Sequence, residues 1–94
     1  MAKLVRDKIP EIIGDTCVTR TLSEAEYLQA LDAKLDEELA EYHESGSAEE
    51  LADLLEVIYA VAKARGYDVD EVRKEKATQR GRFEKRIMLV EVHE

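Results

Sequence analysis

Two capping boxes constrain this chain more than any other feature, because they fix where its central helices begin. Each box pairs a serine with a glutamate three residues later, at Ser23–Glu26 and at Ser47–Glu50, which satisfies backbone amides at a helix N-terminus. The first helix is predicted over residues 23–44 and the second over residues 47–65. Only a short turn at residues 45–47 separates them, so the two helices must pack antiparallel as a hairpin.

The rest of the chain surrounds this hairpin with shorter elements. A third helix is predicted from Asp68 to Gly81, and Pro10 suits the first turn of a short helix near the N-terminus. Residues 16–22 are rich in β-branched side chains and residues 87–92 are apolar, so both are predicted as short terminal β-strands. The predicted fold is therefore mainly α, with a hairpin, a third helix and short terminal strands in a single domain over residues 1–94.

The second predicted helix is apolar nearly all round between Leu54 and Ala64. A helix of that kind is normally buried on every side, and a chain of 94 residues has too few neighbouring elements to cover it. We therefore expect a homo-oligomeric helix bundle, either a dimer or a tetramer. Phe83, the single phenylalanine, is expected to anchor the core.

The charge distribution excludes several classes of protein. The net charge of −8 argues against a nucleic-acid polymer as partner, since such proteins need a basic face. No apolar run approaches the roughly 20 residues that span a bilayer, and the first residues do not resemble an export signal. With one cysteine and no metal-binding cysteine pair, the expected setting is the cytoplasm, away from membranes.

Carboxylates are concentrated around the predicted turn of the hairpin. At 1.5 Å per residue, one pair lies roughly 4–10 Å before the turn and another roughly 3–9 Å after it, so both pairs stand at one height. The four residues are Glu38, Glu41, Glu50 and Asp53. Converging carboxylates repel one another unless a cation lies between them, and hard oxygen ligands favour Mg²⁺ or Mn²⁺.

A simpler interpretation remains open for several of these acids. Glutamate-rich helices often contain this spacing by chance, and Glu50 also serves as the last residue of a capping box. Glu38 fits the simple interpretation least, because it falls beside the apolar stripe of the first helix at Leu31, Leu35 and Tyr42. A carboxylate there would be partly desolvated and would need a partner.

At these residues the chain resembles the all-α NTP pyrophosphohydrolases, the MazG-like superfamily that includes phosphoribosyl-ATP pyrophosphohydrolase. The acidic pattern is EExxE at residues 37–41 followed by ExxD at residues 50–53. The segment KLVRDKIP at residues 3–10 resembles the opening of a small MazG-like subgroup, and residues 80–89 resemble its closing segment. The resemblance therefore covers nearly the whole chain.

The resemblance implies hydrolysis of a nucleoside triphosphate to a monophosphate and pyrophosphate with Mg²⁺, in a house-cleaning role. It implies metal ligands at Glu38, Glu41, Glu50 and Asp53, and a catalytic role for Glu37, as a ligand or as the residue that orients water, beside Glu38. Phosphoribosyl-ATP is the alternative substrate. A non-catalytic helical interaction module, with the acids as surface decoration, is the alternative from a different class.

Triphosphate oxygens beyond the reach of a metal need cationic partners. Lys34, the one base among residues 21–62, lies one turn before Glu38 and is predicted to reach the phosphates, although an ion pair with Glu38 explains it equally well. The further predicted phosphate ligands are Arg6, Lys8, Lys76, Arg80 and Arg82.

Overall fold

The structure is a computed structural model that describes residues 2–93. Within these residues the chain forms four helices, in the order α1 (Ile9–Ile13), α2 (Glu24–Ser45), α3 (Ala48–Arg65) and α4 (Val69–Arg80). The predicted mainly α fold is confirmed, and the three longer helices begin and end within two residues of their expected bounds. Pro10 lies in the first turn of α1, as its fixed backbone angle favours.

The two capping boxes turn out to differ. At α2 the box is complete, because Ser23 Oγ accepts from the Glu26 amide at 3.3 Å and the Glu26 carboxylate accepts from the Ser23 amide at 3.1 Å. At α3 only half of it forms: Ser47 Oγ accepts from the Glu50 amide at 3.2 Å, whereas the Ser47 amide donates to Ser45 Oγ. The Glu50 carboxylate is therefore not engaged in capping.

The α2–α3 hairpin supplies the main packing between helices within residues 2–93. Gly46 closes α2 in a left-handed conformation, with φ of 65°, and its amide donates to the Tyr42 carbonyl at 2.7 Å. The buried apolar residues among those described are Leu31 on α2 and Val57 and Ala62 on α3. The chain reverses over two residues, which brings the end of α2 beside the start of α3.

The predicted strands are wrong, because no strand forms in the part of the chain that the structure describes. A strand needs a neighbour for its backbone amides and carbonyls, and residues 16–22 do not pair with residues 87–92. Val18 is fully exposed, and Phe83, expected in the core, is 98% exposed. None of the helices between residues 2 and 93 is long and apolar enough to cross a membrane.

Candidate metal centre

Carboxylates from both arms of the hairpin meet at the end nearest the turn. Oxygens of Glu37, Glu38 and Glu41 on α2 lie within 4.8 Å of one another. Oxygens of Glu38, Glu50 and Asp53 do the same across the two helices. Glu38 belongs to both groups, so the structure brings all four predicted ligands together around its side chain. We call Glu38, Glu41, Glu50 and Asp53 the carboxylate cluster.

Glu38 is the most enclosed member of the carboxylate cluster. Only 7% of the residue is exposed, and it is the sole buried charged residue among those described. Neither Glu38 Oε2 nor Glu50 Oε2 has a hydrogen-bond partner within residues 2–93. A buried carboxylate oxygen without a donor is costly to maintain, so both atoms need a proton or a cation.

The pKa values of these two glutamates also indicate that a proton or a cation is needed here. Burial raises the pKa of Glu38 above its ordinary value, the charge of Glu41 raises it further, and Lys34 opposes the rise. Desolvation also raises the pKa of Glu50, followed by the charges of Glu41 and Asp53. A divalent cation would relieve this repulsion, and a set made of carboxylate oxygens alone suits Mg²⁺ or Mn²⁺.

Lys34 forms an ion pair with Glu38 of the carboxylate cluster. Its Nζ lies 3.1 Å from Glu37 Oε2 and 3.6 Å from Glu38 Oε1, and only 16% of its side chain is exposed. Glu37 also faces Lys3 Nζ at 4.0 Å. Lysines thus compensate the Glu37 carboxylate, whereas Glu38 and Glu50 each keep one buried oxygen without a hydrogen-bond partner among the described residues.

Arg6 contacts the cluster directly from the N-terminal segment. Its Nη2 donates to Asp53 Oδ1 at 2.6 Å, a short hydrogen bond between oppositely charged groups. The sequence predicted Arg6 as a phosphate ligand, and its bond to a predicted metal ligand was not foreseen. No local pattern reveals a contact between side chains that are 47 positions apart.

A groove of about 770 Å³ opens beside the cluster, within the size range of small-molecule sites. Residues 3–9 line one side, Lys8 among them, and the hairpin lines the other with Lys34, Glu38 and Asp53. Glu56 also lines the groove, one helical turn after Asp53. Sequence reasoning passed over Glu56, although its spacing from Asp53 placed both on one helix face.

The remaining predicted phosphate ligands lie elsewhere. Lys76 and Arg80 are exposed on α4, and Arg82 follows it, with its guanidinium 3.8 Å from the Glu84 carboxylate. None of the three lines the groove within a single chain.

Comparison with known proteins gives little beyond this geometry. No protein-family profile matches the chain, and no solved structure matches it. A protein of Mycolicibacterium smegmatis, itself uncharacterised, is 68% identical over 44 residues. That similarity covers 44% of this chain and 45% of the relative's length. The chain is therefore similar to part of a mycobacterial protein, and that similarity carries no activity with it.

Proposed function

We propose that this protein is a Mg²⁺-dependent nucleoside triphosphate pyrophosphohydrolase, which converts a nucleoside triphosphate and water into a monophosphate and pyrophosphate. The observation that carries the proposal is Glu38, a buried carboxylate with one unpartnered oxygen at the centre of three other acids. The resemblance of the acidic pattern to the MazG-like superfamily supports the same reaction.

The carboxylate cluster is where Mg²⁺, or Mn²⁺ in its place, would be held. Glu38 and Glu50 are the strongest ligand candidates, because their buried oxygens lack any donor among the described residues. When bound, the metal supplies positive charge for the phosphate oxygens and acidifies water. Asp53 would contribute once its bond to Arg6 is released or shared.

The residues around the carboxylate cluster would orient the attacking water and bind the phosphates. Glu37, held by Lys34 at 3.1 Å, keeps a charged carboxylate in place that can accept a hydrogen bond from the attacking water and orient it. Lys34 and Arg6 present cationic groups at the edge of the groove, where they can donate to phosphate oxygens. Lys3 and Lys8 also line the groove, so the N-terminal segment brings further basic side chains to the groove that Glu38 and Asp53 line.

A panel of nucleotides tests the reaction and the substrate together. Pyrophosphate release would be measured from canonical and modified triphosphates and from phosphoribosyl-ATP, with Mg²⁺ present. We expect Glu38→Gln and Asp53→Asn to lower kcat/KM by about 100-fold or more, since each removes a ligand. The exposed neighbour Glu49→Gln serves as the control and should retain the wild-type rate.

The outcomes separate the alternatives. Preference for phosphoribosyl-ATP would assign that substrate in place of a house-cleaning role on triphosphates. Equal background rates in the wild type and both variants would favour a non-catalytic interaction module. The proposal also includes a homo-oligomer in the cytoplasm. A partner subunit is expected because, among residues 2–93, a single chain buries three apolar residues, Leu31, Val57 and Ala62.

A further inference from the structure

The chain exposes more surface than a self-contained protein of its size. Its accessible area is 8746 Å², whereas a compact monomer of 10.7 kDa exposes about 5,500 Å². Its radius of gyration is 17.6 Å, against about 12 Å for a compact chain of this length. The excess of roughly 3,000 Å² exceeds the ~800 Å² that each partner buries in a standard interface, so a second copy has ample surface to cover.

The C-terminal segment holds a group of strongly exposed apolar side chains. We define the tail as residues 82–92, the stretch that follows α4. Its large apolar residues are between 74% and 98% exposed: Phe83, Ile87, Met88, Leu89, Val90 and Val92. An apolar run such as residues 87–90 is not left in water by a stable protein, because burying it is the main available source of free energy.

A matching apolar surface lies on α3. Leu51, Leu55 and Tyr59 recur every four residues, which places them on one helix face, and they are 48%, 48% and 39% exposed. We call these three residues the α3 stripe. Leu39 on α2, 42% exposed, stands at a similar height on the adjacent helix. The tail of the same chain does not cover the stripe.

The charge distribution along the chain indicates which surface packs on the α3 stripe. Residues 21–62, which include the hairpin, carry twelve acids and one base, so two stripes placed face to face would bring two strongly acidic surfaces together. Residues 80–86, which lead into the tail, carry four bases and one acid. Docking of a tail on a hairpin therefore joins opposite charges beside the apolar contact.

We propose that the tail of one chain packs on the α3 stripe of a second copy, and that the second copy returns the same contact. Such an exchange is the self-complementary arrangement of a twofold dimer. It also brings Arg80 and Arg82 of one copy to the acidic hairpin of the other, which accounts for their distance from the groove in a single chain. The inference rests on exposed surface and charge and does not depend on metal binding.

Disulfide trapping between two distinguishable full-length chains tests this directly. Both chains carry Cys17→Ser; one carries Leu55→Cys, and the other carries Met88→Cys with a tag that changes its mass. After subunit exchange and mild oxidation, we expect at least ~10-fold more disulfide between unlike chains than with Ala33→Cys, an exposed α2 position, in place of Leu55→Cys. Equal yields for the two pairs, or no disulfide with either, would overturn the proposal.

A doubly substituted chain distinguishes exchange from folding back. With Leu55→Cys and Met88→Cys on the same chain, a monomeric disulfide formed within the chain would also overturn the proposal. Light scattering of full-length Phe83→Ser, which leaves the α3 stripe intact, gives a measurement independent of cysteine chemistry. We expect a monomeric mass at micromolar concentration with the helical circular dichroism retained, and an unchanged oligomeric mass would contradict the inference.

Discussion

Replacement of Glu38 by glutamine removes one charge from the most crowded point of the carboxylate cluster. Glu38 has carboxylate oxygens of Glu41, Glu50 and Asp53 within 4.8 Å, and each fully charged pair at that distance is unfavourable by about 3–4 kcal/mol at an effective dielectric constant near 20. Lys34 at 3.6 Å offsets about one such pair, and the raised pKa values of Glu38 and Glu50 mean that protonation relieves part of the rest. We therefore expect Glu38→Gln to stabilise the metal-free protein by about 1–3 kcal/mol.

Thermal unfolding at a fixed chain concentration measures this effect with and without Mg²⁺. For a domain of this size 1 kcal/mol corresponds to about 4–8 °C, so the variant's Tm should rise by about 4 °C or more without metal. Mg²⁺ at 100 times its Kd should stabilise the wild type by about 2.7 kcal/mol. The variant should gain far less, because it lacks the central ligand.

A glutamine substitution outside the carboxylate cluster serves as the control. Glu49→Gln, at an exposed position on the same helix as Glu50, should change the metal-free Tm little and keep the full response to Mg²⁺. A Glu38→Gln protein that is less stable than wild type without metal, and that responds equally to Mg²⁺, would show that Glu38 is neither repelled by its neighbours nor a metal ligand. Glu38 would then stabilise the fold through a hydrogen-bond partner that it finds in solution.

Three further predictions address the bond between Arg6 and Asp53, the turn of the hairpin and the first capping box. Arg6→Ala should free Asp53 and tighten Mg²⁺ binding a few-fold by calorimetry, while raising KM for the nucleotide. Gly46→Ala, at a φ of 65°, should cost about 1–2 kcal/mol in urea unfolding; an unchanged midpoint would mean that the turn relaxes. Hydrogen bonds with Arg20 first, and then with Ser23, lower the pKa of Glu26 to about 2. The stabilisation from this carboxylate is therefore complete above the unfolded pKa near 4.5 and is lost as the pH falls towards 2. Glu26→Gln, which keeps the cap acceptor, should flatten that acid dependence of the urea midpoint.

Local rules were sufficient for the hairpin. Ser23 and Ser47 begin α2 and α3 where their side chains accept from the backbone, and Gly46 and Gly66 end them in left-handed conformations. Two helices joined by so short a turn have one way to pack. The heights of the four acids along that hairpin then followed from the helical rise alone, which is why the carboxylate cluster could be predicted from spacing.

Local rules could not predict contacts between distant parts of the chain. The capping pattern at Glu50 predicted a bond to the Ser47 amide, yet its carboxylate joins the cluster and the Ser45 hydroxyl takes its place. The bond from Arg6 to Asp53 spans 47 positions and leaves no periodic signal. Residues 87–92 have strand-like composition, but composition does not supply the partner that a strand requires.

Anomalous scattering from crystals grown with Mn²⁺ is the most direct test of the central claim, that acids from α2 and α3 form one divalent-metal site. We expect an anomalous peak about 2.0–2.2 Å from carboxylate oxygens of Glu38, Glu50 and at least one further member of the carboxylate cluster. Saturating Mn²⁺ that leaves Glu38 without a metal, with peaks only at separate surface acids, would contradict it.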